Sequence, residues 1–175
     1  MKIRSCTLFL GLLSLGCGLA SCCQTSQSGQ AVQANATVTL KDYGAEPTVL
    51  NIEAATLSND NFRTALWTGA KLQVTVMSIP VGSDVGLEQH PDTDQFLRVE
   101  EGCAKVVMGD TEDALTFSQT AKKDFALFVP AGKWHNIINT GDIPLKLYSI
   151  YSPVEHPHGT VHKTQEEAEE AEHQH

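Results

Sequence analysis

The chain of 175 residues is short of long apolar runs, of positive charge and of cysteine, and each shortage excludes something. The apolar run from Leu8 to Leu15 falls well below the roughly 20 residues that a membrane-spanning helix needs. Lysine and arginine number 12 against 21 aspartates and glutamates, a net charge of −9, which rules out nucleic-acid binding through general electrostatics. Beyond Cys23 the only cysteine is Cys103, so no disulfide framework is available to a fold. Helical periodicity is almost missing and no internal repeat is visible, which argues against helical bundles and solenoids.

The first residues carry a targeting pattern. Lys2 and Arg4 precede the Leu8–Leu15 run, as in a secretory signal. The run leads to Leu19-Ala20-Ser21-Cys22, which resembles the bacterial lipobox, in which small residues precede a cysteine that is lipidated and becomes the mature N-terminus. Ser14-Leu15-Gly16-Cys17 is a poorer second match. The expectation is a signal peptide over residues 1–21, lipidation at Cys22, and a bacterial cell-envelope location, periplasmic or surface-facing, with membrane contact only through the anchor. Cleavage there removes two of the 12 basic residues and none of the 21 acidic ones, taking the net charge from −9 to −11. Cys6 and Cys17 leave with the signal. A Cys23–Cys103 bridge is allowed but not demanded, and Cys103, beside Ala104, Val106 and Val107, suits packing as a small hydrophobe. Residues 22–36, rich in Gln, Ser, Ala, Gly and Asn, read as a flexible tether.

From Thr37 the pattern becomes one of strands. Extended segments are expected at Thr37–Leu40, Pro47–Ile52, Phe62–Thr68, Lys71–Ile79, Gly86–His90, Gln95–Glu101, Cys103–Met108, Ala114–Phe117, Phe125–Val129, Trp134–Asn139 and Leu145–Tyr151. Glu53–Ser58 reads as one helical turn, broken by Asn59-Asp60-Asn61. In the Lys71–Ile79 run, Leu72, Val74 and Val76 alternate with Gln73 and Thr75, the sign of a half-buried strand. Many short strands with frequent turns predict an all-β sandwich or barrel over residues 37–152. After Ser152 the alternation stops. Residues 153–175 comprise an extended histidine-rich segment with His156, His158 and His162, then an acidic run from Glu166 to Glu172 expected as a solvated helix or a disordered tail.

Two stretches carry chemistry. In Pro130-Ala131-Gly132-Lys133-Trp134-His135-Asn136-Ile137-Ile138-Asn139, the Pro-Gly turn reverses the chain and His135, Ile137 and Asn139 share one strand face. In Gly86 to Gly102, Glu88 and His90 also share a face, and the Pro91-Asp92-Thr93-Asp94 turn brings Gln95 back toward them. His135 would then supply a fourth ligand from a distant strand. Asp92 or Asp94 is an alternative to Glu88, although Pro91 ends the strand on which Asp92 would share parity with His90. Asn139 suits a hydrogen-bonding role. Arg63 and Trp67 could line the barrel mouth or simply pack.

At these residues the chain resembles the cupin superfamily. Pro130, Gly132, His135 and Asn139 match its second motif, Pro-x-Gly-x-x-His-x-x-x-Asn, in full. His90, Gln95 and Gly102 fall at the spacing of the first motif, with Glu88 in place of its first histidine and Gln95 in place of its glutamate. Around them, Asp60–Gly69 and His156–His162 look like a small bacterial cupin subfamily of the cupin-2 type. The resemblance implies an all-β double-stranded β-helix, a jelly-roll barrel with little helix, holding one divalent metal and often dimeric. A site of Glu88, His90, Gln95 and His135 mixes nitrogen and oxygen without thiolate, which suits Mn, Fe, Ni or Zn alike. Gln95 is a weak neutral ligand that could instead hold a water or leave a position open. One carboxylate against a dication favours an anionic or enolisable small-molecule ligand.

The function expected is a metal-dependent enzyme on a small molecule, of isomerase or dioxygenase type. No residue announces itself as a separate general base, although Glu88 released from the metal could serve. The alternative is an envelope-anchored binding protein for a sugar or other small metabolite. His156, His158 and His162 could fold over the barrel mouth or be merely structural.

Overall fold

Asn51 turns an extended stretch into the first helix. Its side-chain Oδ1 accepts the Ala54 N–H at 3.0 Å, satisfying a donor that the first turn would otherwise leave unpaired. Helix α1 (Ile52–Ser58) follows and ends at Asn59. The strands come next: β1 (Arg63–Thr68), β2 (Gln73–Ile79), β3 (Glu88–Gln89), β4 (Asp94–Glu101), β5 (Cys103–Gly109), β6 (Phe117–Lys122), β7 (Ala126–Val129), β8 (Trp134–Asn139), β9 (Leu145–Ser152) and β10 (Val161–His162), with helix α2 (Gln165–Glu172) last. This computed structural model describes residues 38–172. Within them no helix is long and apolar enough to cross a membrane.

The strands form two antiparallel sheets, a six-stranded one ordered β10-β1-β2-β9-β4-β7 and a four-stranded one ordered β3-β8-β5-β6. One apolar core joins Met77, Leu97, Val99 and Leu147 of the larger sheet to Val106 and Ile137 of the smaller. This is the double-stranded β-helix expected from the sequence. Truncating a side chain such as fully buried Leu97 to alanine would cost about 2–5 kcal/mol.

The register divides the interior into layers. Gln73 pairs with Tyr151, which pairs with Gln95; Thr75 pairs with Ser149, which pairs with Leu97; Met77 pairs with Leu147, which pairs with Val99; Ile79 pairs with Leu145. Side chains two apart share a face, so one end of the barrel is filled by polar groups and the other by aliphatic ones. Gln73, Thr75, Gln95, Ser149 and Tyr151 are all buried.

This corrects the half-buried reading of β2. Gln73 and Thr75 face inward, and Val76 faces outward beneath α1 in a second cluster with Ala55 and Leu66. Both faces of the strand are covered because a helix lies on the outer one. Leu72 remains exposed, before the strand begins. Three other expected segments also differ. Pro47–Leu50 forms no strand, and Ile52 already belongs to α1. Val38–Leu40 has no regular structure, while Thr37 and everything before it, including Cys22 and the proposed signal and tether, lie outside the described residues. The strand expected at Ala114–Phe117 instead runs Phe117–Lys122, because Thr111 and Ala114 bridge to close a tight turn first.

The chain continues in the fold beyond Ser152. Val161 and His162 pair with Thr64 and Arg63, adding β10 to the larger sheet. The acidic run is the helix α2. Thr164 Oγ1 accepts the Glu167 N–H at 3.3 Å, Glu167 Oε2 accepts the Lys163 N–H at 2.6 Å, and Ala168 is buried against the core.

Candidate metal centre

The Pro130–Gly132 turn fixes the site by hydrogen bonds to the opposite motif. Gly132 sits at φ +77°, which glycine adopts without strain. Its N–H donates to the His90 carbonyl at 2.8 Å, and Gln89 Nε2 donates to its carbonyl at 2.8 Å. The turn feeds β8, where His135 stands directly across from Glu88 of β3. His90 follows β3 at once. Two segments far apart in sequence are thereby held side by side.

Three side chains converge there. Glu88, His90 and His135 each present a ligand atom, all within 4.8 Å of one another. Glu88 Oε1 lies 3.4 Å from His90 Nε2 and 3.3 Å from His135 Nε2, and neither buried nitrogen has a hydrogen-bond partner. The far nitrogen of each ring is occupied. His135 Nδ1 lies 3.0 Å from the Lys133 carbonyl, to which it donates, and His90 Nδ1 lies 3.0 Å from Glu155 Oε1. In the neutral rings this arrangement leaves both Nε2 lone pairs directed to one place, as metal-ligating histidines require.

Electrostatics within the group are strong. Burial pushes the Glu88 carboxyl up, but the His135 and His90 imidazoles outweigh it and hold Glu88 well below the usual carboxylate range. Burial likewise opposes charge on His90, yet Glu155 and Glu88 on its two sides raise it to about 9. Without a cation, therefore, His90 carries a proton between two carboxylates.

The other residues singled out from the sequence fall as follows. Gln95 is buried on the inner face of β4; its Nε2 donates to Ser149 Oγ at 3.0 Å, and its Oε1 has no hydrogen-bond partner. Asp92 is exposed, and exposed Asp94 accepts the Ala131 N–H at 2.9 Å, a bond that helps shape the Pro-Gly turn. Asn139 is buried at the apolar end, its Nδ2 within 3.1 Å of the Ile79, Pro80 and Ile143 carbonyls and its Oδ1 accepting from Gly141. Arg63 is buried, whereas Trp67 donates outward to the Glu46 carbonyl at 2.9 Å. Cys103 is a free, half-buried thiol on β5.

Beside the trio opens a cavity of about 350 Å³, walled on one side by Glu88, Gln89 and His90 and on the other by the segment after β9, with Glu155, His156 and Thr160. His156 is buried, packed edge-on against Tyr151 with ring centroids 5.1 Å apart. Its backbone is clamped by Gln73, which accepts the His156 N–H at 2.9 Å and donates to its carbonyl at 2.8 Å. Burial, aided by the positive charge of Arg63, pulls its imidazole down to about 3, so it is neutral at physiological pH.

Two buried imidazole nitrogens without hydrogen-bond partners, facing one carboxylate oxygen, are a donor set that fits a divalent first-row metal or zinc and cannot choose among them.

Known proteins agree with this architecture. Residues 75–151 match the family model described as Cupin domain. The chain is 58% identical over 133 residues to the uncharacterized protein YrkC of Bacillus subtilis, covering 76% of this chain and 72% of that one. The crystal structure of BH2720 from Bacillus halodurans, 58% identical, superposes with a TM-score of 0.74 over 74% of this chain and 98% of that one. The chain belongs to the cupin superfamily. A second relative of this cupin, an uncharacterized protein of Acanthamoeba polyphaga mimivirus, is 37% identical over 114 residues, covering 65% of this chain and 69% of that one.

Sequence reasoning did not single out Glu155, Gln73 or Tyr151. Glu155 carried one signal, a carboxylate immediately before His156 in the histidine-rich segment. Gln73 and Tyr151 carried none, because one occupied a position read as solvated and the other looked like ordinary strand filling.

Proposed function

We propose that Glu88, His90 and His135 of this cupin hold one divalent cation, that Gln95 completes or tunes the set, and that the protein acts on a small molecule in the adjoining cavity. The observation that carries this reading is the pair of buried, unpartnered Nε2 atoms of His90 and His135, both within 3.4 Å of the same Glu88 oxygen. When bound, the cation supplies Lewis-acid polarisation of a substrate oxygen or, if redox-active, an oxidation centre. The chain's own residues do the rest. Glu155 and the Lys133 carbonyl fix the ring orientations, and His156, backed by Tyr151, closes the inner wall. Isomerase and dioxygenase chemistry both fit. Elemental analysis of protein purified without chelator is expected to return about one Mn, Fe, Ni or Zn per chain, and oxygen uptake with a redox-active metal would select the dioxygenase branch. No metal at stoichiometric level would sink both.

A second reading is a non-catalytic binder for a small metabolite. It is supported by the engagement of both cavity carboxylates, Glu88 with two imidazoles and Glu155 with His90, which leaves no unengaged carboxylate as a general base. In either reading we place the protein in the bacterial cell envelope, lipid-anchored at Cys22, on the strength of Leu19-Ala20-Ser21-Cys22. A homodimer is part of the proposal, supported by the exposed Phe117, Phe125 and Phe128 beside the open edges of β6 and β7. Metabolic labelling with palmitate, abolished by Cys22→Ala, tests the anchor.

A further inference from the structure

We infer that the cavity takes a neutral, polyhydroxylated small molecule of monosaccharide size, and that His156 is the residue of the C-terminal segment that contacts it. The inference rests on the metal reading above and narrows its ligand. At about 350 Å³ the cavity lies at the small end of the roughly 300–1,000 Å³ range of ligand sites.

Its wall is rich in acceptors. Glu155 is engaged by His90 at Oε1 and by the Thr93 side chain, and toward the cavity its carboxylate can only accept. Thr160 Oγ1 spends its proton on the Pro157 carbonyl at 2.7 Å, so toward the cavity it too can only accept. His156 Nε2 is buried and has no hydrogen-bond partner, and the imidazole is held in place by the Gln73 clamp and by Tyr151. A neutral imidazole offers one hydrogen bond at this atom and no charge. Among the residues lining the cavity there are two carboxylates and neither lysine nor arginine.

Each charged ligand type meets an obstacle there. A carboxylate or phosphate is all acceptor and would face Glu88 and Glu155 with no donor of opposite charge on the cavity wall. An ammonium group is all donor and offers no lone pair to the cation that Glu88, His90 and His135 are proposed to hold. The two cavity carboxylates also offset the charge of a dication, which removes the preference for an anion that one carboxylate alone would leave. A hydroxyl escapes both obstacles, since it donates to the wall and turns its oxygen toward the cation. Vicinal hydroxyls do this twice. The apolar Pro157 and Ala171 complete the wall and suit the carbon face of a sugar ring.

The test is a calorimetric comparison, on the intact zinc-loaded protein of measured metal content, of three probes that share one pyranose ring and differ in a single neutral or charged substituent: D-glucose, D-glucuronate and D-glucosamine. Glucose is expected to bind at least tenfold more tightly than either charged analogue. Glucuronate or glucosamine equal to or tighter than glucose overturns the inference, as does the absence of binding by all three. His156→Leu is expected to weaken glucose binding at least tenfold with metal content unchanged, and His156→Gln to restore part of it. A His156→Leu protein that binds glucose like the parent overturns the assignment of that residue. The charge comparison uses the parent protein, so it stands if a variant fails to fold. A protein that shows the glucose preference but takes up no zinc would refute the metal reading and leave the ligand class standing.

Discussion

His90 and Glu155 meet at 3.0 Å across 65 residues of sequence, the imidazole Nδ1 against the carboxylate Oε1. The contact joins the first half of the cupin motif to a segment that lies beyond its last motif residue. It fixes which nitrogen of His90 faces the centre and makes that nitrogen more basic.

Glu155→Ala should therefore weaken metal binding by about 10–100-fold. Glu155→Gln, whose amide oxygen can still accept from Nδ1, should recover much of the orientation and less of the basicity. Competition titration with a metal-sensitive chelating dye measures both. Equal affinities for the parent and the alanine variant would show that the contact has no influence on the metal.

Much of this was legible in the sequence, and the reason is local. The Pro130–Asn139 turn and strand and the Glu88–His90 parity are short-range patterns, and Glu88, His90 and His135 do converge. Gln73 and Thr75 were misread because alternation tells two faces apart without saying which is inside. In this barrel both are covered, and the polar face of β2 points inward because the polar end of the interior is the site. The contribution of Glu155 and His156 depends on the chain folding back after Ser152, where no periodicity signals a strand and β10 is two residues long.

Gln73 holds the His156 backbone at both its donor and its acceptor, from inside the barrel. Gln73→Leu strands both backbone groups and should cost about 2–4 kcal/mol, taken as two buried hydrogen bonds left unmade. The loss should be uneven. Amide hydrogen exchange is expected to accelerate across residues 153–162 while β4 and β9 keep their protection. Uniform acceleration through the barrel would mean that the residue supports the whole fold and not the segment in particular.

Gly132 offers a cleaner measurement of backbone strain. A methyl group built there meets nothing within 4 Å, so Gly132→Ala is opposed only by the positive φ of 77°. The expected loss is about 1–2 kcal/mol in urea unfolding, and Gly132→Asn should lose less, since asparagine tolerates the left-handed region better. A loss far above that range would point to a disturbed turn and a broken His90–Gly132 hydrogen bond.

Metal binding should release a proton. In the metal-free protein His90 is raised from 6.5 to about 9 by Glu155 and Glu88, so at pH 7 it is charged. A raised folded-state value stabilises the fold fully below the unfolded value and is lost as pH climbs through the folded one. Metal-free protein should accordingly lose up to about 3 kcal/mol between pH 6.5 and 9. Glu88 acts in the opposite direction: its depressed carboxyl stabilises above the ordinary carboxylate value, and the contribution fades as the solution turns acid. A cation needs the Nε2 lone pair of His90 and must displace its proton. Calorimetry at pH 7 in buffers of different ionisation enthalpy should report about one proton released per metal bound, and the apparent affinity should rise about tenfold per pH unit until His90 is neutral. The alkaline loss of stability should disappear once the metal is in place. Metal binding with no proton release at pH 7 would mean that His90 is not among the ligands, leaving the centre to Glu88 and His135.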